Sequence, residues 1–134
     1  MCLRGASAVA ATLKRHPDWK LRVLLVWEPV RAADEIGPPR GTYARVTDRR
    51  VRQFWDRDRI LSQRMVRDLM ENPKLLADTT KVTESTIIWD IAAVFPPRTR
   101  WDSSLPHPSY YGKPVAAVVI EMERAIGAAI AAKP

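Results

Sequence analysis

One thiol, one strand-end carboxylate, two imidazoles and a run of arginines are the residues whose types could do chemistry here. Cys2 is the single cysteine, and it stands just ahead of a helix-forming stretch. A thiol at a helix N-terminus is favoured as thiolate by the positive end of the dipole, and Arg4 acts in the same direction. One cysteine excludes an intramolecular disulfide, and the plainer reading is an unreactive thiol at a frayed end. Glu28 follows Trp27 at the end of an apolar run. Buried beside an aromatic, its carboxyl would titrate high and serve as an acid or base, whereas its plainer role is to cap a helix or meet an arginine. His16 reads as a cation at a helix C-terminus and His107 lies between two prolines. Neither has metal-ligand spacing to the other or to Cys2, so no metal site is expected. There is no glycine-rich phosphate loop, nucleophile elbow or HExxH motif.

The formal charge is +7, with nine arginines and three aspartates (Asp48, Asp56, Asp58) between Arg40 and Arg67. Such a run is either a solvated helical face or a surface for an anionic partner. No recognisable nucleic-acid motif accompanies it, so nucleic acid is not the expected partner.

Those residues need elements to hold them. Leu21 to Val30, reading LRVLLVWEPV, has the near-continuous apolar run of a strand covered on both faces, and Pro29 ends it. Ahead of it, Ala6 to His16 reads as a helix with Ser7 as cap and Pro17 as stop. Arg31 to Val46 is a connection centred on Gly37-Pro38-Pro39, with Thr42 to Val46 as an edge strand. Val51, Phe54 and Trp55 share a face at i, i+3, i+4, which predicts a short helix capped by Thr47 or Asp48. Asp58 then caps a second helix through Ile60, Leu61, Met65, Leu69 and Met70, ended by Asn72-Pro73, with the arginines off its apolar side. Trp89 to Phe95 predicts a second strand closed by Pro96-Pro97, with a short antiparallel edge strand at Trp101. Ser103 to Gly112 reads as coil. Pro114 opens a last helix through Val115, Val118, Val119, Met122, Ile126 and Ile130.

The 134 residues suit one domain, and 46% apolar with 28% charged residues suits a folded one. No apolar run approaches the ~20 residues of a membrane span, so no span is expected. The start, with one early arginine and no long leucine-rich run, does not read as a signal peptide. Three Trp-Asp pairs, at residues 55, 89 and 101, are unevenly spaced and form no repeat.

The text Cys2-Leu3-Arg4-Gly5, Leu21 to Val30, Arg49 to Asp56, Trp89 to Pro97 and Trp101 resembles short bacterial thiol-disulfide oxidoreductase-like proteins of the thioredoxin-like superfamily. In those proteins a CxxC pair opens the helix, a strand ending in a WEPV-like string follows, and a later strand begins with Trp-Asp. The resemblance implies one α/β domain over 1–134, a thioredoxin-like mixed sheet covered by helices and lacking the usual first strand. In it Leu21–Trp27 is central, with Trp89–Phe95 beside it and antiparallel. The resemblance also implies a degenerate or truncated oxidoreductase with at most a single-thiol site at Cys2, because dithiol exchange needs a resolving partner. Its partners would be protein thiols, through mixed disulfides, and no cofactor is implied. A missing strand exposes apolar surface, which implies a rearranged edge or self-association. The alternative is a non-catalytic binding module using an Arg-rich helical face, Arg49 to Arg67, on an anionic partner.

Overall fold

The apolar runs and helix signals resolve into small helices and strands of both kinds, an α/β protein. The structure, a computed structural model, describes residues 3–31, 34, 36–75 and 82–132. Cys2 lies outside the described residues. The chain divides into two compact units, Met1–Ile60 and Leu61–Pro134.

The first unit holds α1 (Leu3–Arg15), β1 (Val23–Trp27), a single helical turn α2 (Arg40–Tyr43) and β2 (Val51–Trp55). Strands β1 and β2 run parallel, with Val23 beside Val51, Leu25 beside Gln53 and Trp27 beside Trp55. Helix α1 turns Ala6, Val9, Ala10 and Leu13 onto the inward residues of that pair, the i, i+3, i+4, i+7 stripe of an amphipathic helix. Ala6, Leu13, Trp27 and Val46 are the buried centre. The opposite face of the pair is open: Leu24 is 61% and Phe54 48% exposed. The expectation that this strand would be covered on both faces is therefore corrected.

Two local expectations also change in this unit. The predicted helix through Val51, Phe54 and Trp55 is the strand β2. Its inward residues are Val51, Gln53 and Trp55, so a polar side chain at the middle inward position hid the period of two. Gln53 is accommodated because all its polar groups are used: Trp27 Nε1 donates to its Oε1 at 2.9 Å, and its Nε2 donates to the Tyr43 carbonyl at 2.9 Å and the Val46 carbonyl at 2.7 Å. The predicted edge strand at Thr42 to Val46 is replaced by α2 and the turn that follows it. Gly37, at φ 84°, packs so closely on Trp55 that a Cβ would lie 3.2 Å from the indole. The left-handed backbone favours glycine there, and a side chain would also have to push the indole aside by a few tenths of an ångström.

The second unit holds α3 (Ile60–Glu71, its first residue closing unit one), a 3₁₀ turn at Pro73–Leu75, β3 (Ala92–Val94), β4 (Tyr110–Gly112) and α4 (Val119–Ala131). Strands β3 and β4 are antiparallel, with Ala93 beside Tyr111. Met65, Leu69 and Leu105 form the buried centre, with Ile88, Ile91, Phe95 and Trp101 packed on it. The expected second strand, Trp89 to Phe95, shortens to Ala92–Val94. Asp90 sits at φ 53°, and both its carbonyl and its Oδ1 accept the Val115 N–H at 3.2 Å, which turns the chain away from extended form. Its partner strand is Tyr110–Gly112, inside the stretch expected as coil, while Trp101 is in no strand. Helix α4 starts at Val119 rather than Pro114, after turns in which Pro114 and Val115 carbonyls accept the Ala117 and Val118 N–H groups.

The expected sheet with Leu21–Trp27 and Trp89–Phe95 side by side is not formed: β1 pairs with β2 and β3 with β4, in two separate two-stranded sheets. Each strand finds its hydrogen-bond partner within its own unit.

Candidate functional site

At the carboxyl ends of the parallel pair, the position where α/β sheets tend to place their sites, Glu28 follows β1 and Asp56 follows β2. The Asp56 N–H donates to the Trp27 carbonyl at 2.8 Å and extends the ladder by one bond. Asp56 Oδ1 accepts the Ile60 N–H at 2.9 Å, so Asp56 caps the start of α3. Glu28 Oε2 is buried without a hydrogen-bond partner. Burial pushes the Glu28 carboxyl up to about 7, the Asp56 carboxylate adds to the rise, and Arg59 opposes it. Of the two readings left open for Glu28, the burial of its unpartnered Oε2 favours the carboxyl raised by desolvation over the capping or arginine-paired one.

The arginine run is distributed differently from expectation. Arg49 and Arg50 lie in the turn before β2, Arg52 is on β2, and Arg57 and Arg59 are in the turn before α3, where Arg59 has φ 58°. Arg64 and Arg67 alone of the Arg49-to-Arg67 set are helical. The Arg-rich helical face is thus corrected to a strand-and-turn cluster, for the reason already seen at Gln53.

Within that cluster Arg50 is a structural anchor. Its Nε and Nη2 bind the two Asp48 oxygens at 2.9 and 2.7 Å, a bidentate pair. Its remaining N–H groups donate to the Leu13 carbonyl at 2.7 Å and the His16 carbonyl at 2.7 Å, with a longer contact to the Trp19 carbonyl at 3.3 Å. The Leu13 and His16 carbonyls lie at the C-terminal end of α1, the latter also accepting the Trp19 N–H at 3.4 Å, so Arg50 caps that helix from the start of β2. The Arg50 hydrogen bonds hold Asp48 down at about 2. His16 stacks flat on Trp19, ring centroids 3.8 Å apart and 4° from parallel, which fits the sequence's placement of it at the helix end.

Around this anchor opens a recess of about 640 Å³, walled by the Pro17-to-Arg22 turn together with Arg49, Arg50 and Arg52. Lys20, Arg22, Arg49 and Arg52 are exposed on it. Among the described residues, Lys20, Arg22 and Arg52 have no side-chain hydrogen bond or ion pair. Asp18 is the one carboxylate in the wall. Unpaired cations that close together leave a positive field for a partner to neutralise. Sequence reading had missed Lys20 and Arg22, the only signal being that Arg22 interrupts an otherwise apolar run.

His107 Nδ1 lies 2.9 Å from the Pro108 carbonyl, apart from any cluster. Among the described residues no three His, Cys, Asp or Glu side chains are placed to hold a metal. No helix of the described residues is long and apolar enough to cross a membrane. No family model, curated protein or solved structure matches this chain.

Proposed function

We propose that this chain is a non-catalytic binding module whose basic recess in the first unit takes an anionic partner. The observation that carries the reading is the set Lys20, Arg22 and Arg52, exposed around one recess with no counter-ion of their own. Neutralising such a cluster is the term that dominates affinity for polyanions and makes it salt-dependent. The protein should be retained on heparin at low ionic strength and released as salt rises. A triple reversal, Lys20→Glu, Arg22→Glu and Arg52→Glu, should elute early while keeping its far-UV spectrum. Retention that ignores salt, or survives the reversal, removes the reading.

A second reading is favoured by the start of α1 at Leu3, directly after Cys2 in the sequence, with no acidic residue in the first turn. In it the chain is a degenerate thioredoxin-like domain. What supports it is the opening helix and strand together with the closing antiparallel pair and helix; the α2 turn and strand β2 between them are additions to that order. The Cys2 thiolate would attack a partner protein's disulfide, forming one mixed disulfide and releasing one partner thiolate. With no second cysteine the exchange stops there. Maleimide labelling against pH tests this: half-maximal reactivity well below ~8.5 supports an activated thiol, and a profile centred on that value ends the reading.

A further inference from the structure

We infer that the partner is an acidic peptide segment that binds in extended form along the free edge of β1. This rests on the anionic-partner reading and adds to it a class of partner and a mode of binding.

The edge comes first. Among the described residues the first unit's sheet contains β1 and β2 alone. The Val23 N–H donates to the Arg50 carbonyl at 2.9 Å, and the Trp27 carbonyl accepts the Asp56 N–H at 2.8 Å. Odd-numbered β1 residues therefore face β2, and strand alternation turns the N–H and C=O groups of Leu24 and Val26 to the other edge. Leu24 is 61% exposed. Among the described residues neither Leu24 nor Val26 makes a backbone hydrogen bond at that edge, and an unpaired edge is a template for a further strand.

The open face beside that edge supplies the specificity. Parallel register sets Leu24 beside Arg52 and Val26 beside Phe54, and Arg22, one residue before β1, shares their face by parity. The cations Arg22 and Arg52 thus lie toward the start of the face and Leu24, Val26 and Phe54 toward its end, with the ~6.6 Å step between same-side residues of a strand. An added strand lies ~4.8 Å away and presents its own side chains at the same step. Of the residues that such a strand turns to this face, every second one, a carboxylate at one end would meet Arg22 and come within reach of the long Arg52 side chain, and aliphatic groups at the other would meet Leu24 and Val26. A second copy of this chain fits poorly, since each carries +7. Nucleic acid also fits less well. It lacks the regularly spaced N–H and C=O groups that continue a strand ladder, and Trp19 already has His16 stacked on it at 3.8 Å, which occupies one of the ring faces that bases would use.

The test uses the full chain and a fluorescein-labelled decapeptide with Glu, Glu, Val, Val and Val at its alternate positions and Thr between them, followed by anisotropy at low salt. Saturable binding is expected. It should weaken about tenfold or more when alternate peptide nitrogens are methylated, which keeps the charge and removes the strand pairing. It should weaken similarly in an Arg22→Glu, Arg52→Glu double variant. The milder Arg22→Gln, Arg52→Gln pair gives the same direction should the reversal impair folding. Equal binding of the methylated peptide, or no peptide binding alongside intact heparin retention, overturns the strand mode and leaves the anionic-partner reading standing. Tighter binding of a fifteen-residue oligo-dT with the same dependence on Arg22 and Arg52 overturns the peptide as partner. Loss of heparin retention together with peptide binding removes both. A salt-sensitive dimer of the chain alone, undisturbed by the peptide, assigns the edge to self-association and overturns the inference.

Discussion

The two units solve one shortage with opposite charges. Each has a sheet of only two strands, too small to organise its surroundings by ladder hydrogen bonds alone, and each ties its loops to a single ionised side chain. In the first unit that residue is Arg50, which gathers the end of α1, the following turn and Asp48. In the second it is Asp68, 4% exposed on α3. Its Oδ2 accepts the Leu105 N–H at 2.6 Å and Trp101 Nε1–H at 3.2 Å, and its Oδ1 accepts Arg64 Nε–H at 3.1 Å. Arg64 also donates to the Ser103 carbonyl, fixing the same loop from its outer side. The difference is where the leftover charge lies. Asp68 is consumed inside its unit, neutralised by Arg64. Arg50 is satisfied too, but it sits among further cations that have no such partner. An interior anion knot makes a core; a cation knot in a basic recess makes a core and leaves a surface ready for an anion.

Removing each knot breaks the comparison most directly. Asp68→Ala should cost the most, about 3–5 kcal/mol, because it strands the Leu105 and Trp101 N–H groups and unpairs Arg64. Urea unfolding measures it, and a loss below about 1 kcal/mol would refute the hub role. Arg50→Ala should cost somewhat less, about 2–4 kcal/mol, because its site borders solvent and water can take over some of the freed carbonyls. If Arg50→Ala proved costlier than Asp68→Ala, the ranking by burial would be wrong.

The pH dependence of the two charged groups in the first unit sharpens the picture. Asp48 binds its proton less readily when folded, at about 2, than when unfolded. Its contribution is therefore full above the ordinary carboxylate range near ~3.9 and is lost as pH falls from there through about 2. Arg50→Ala should remove that acid-side dependence. Glu28 has the opposite sign. Its folded carboxyl, at about 7, holds a proton that the unfolded chain has already released, so stability declines as pH rises from about 4.5 to about 7. Glu28→Gln should flatten that decline and stabilise the protein at pH ~8 by about 1 kcal/mol, a figure discounted for partial solvent access. A steeper decline in the variant would be the wrong sign.

The smallest effect on stability belongs to the recess rim. Arg22→Ala and Arg52→Ala should each move unfolding by no more than about 0.5 kcal/mol, while anion binding falls. A large stability loss would show these side chains to be structural and would erase the contrast with Arg50.

The strand at Val23–Trp27, the α1 stripe from Ala6 to Leu13, the Ile60–Glu71 helix and an apolar closing helix were all legible in the sequence, because their periods are uninterrupted. The stretch around Val51 was not, since Gln53 looks outward by its type and is turned inward by partners 7, 10 and 26 residues away. Strand β4 was hidden by prolines and a histidine on its approach, and only its pairing to Ala92–Val94 reveals it. Of the site, Glu28 and the arginine excess could be named from the chain alone. That Arg50 is spent while Arg22 and Arg52 are free could not.

Composition and local pattern therefore settled that the chain forms short α and β elements, that it carries a large basic excess and that its one thiol cannot pair within the chain. Tertiary structure decided which strands join, which cations find carbonyls or carboxylates, and which carboxyl loses its water. Those outcomes depend on distances between segments far apart in the chain, and a charge's role is fixed by the groups that surround it rather than by its own identity.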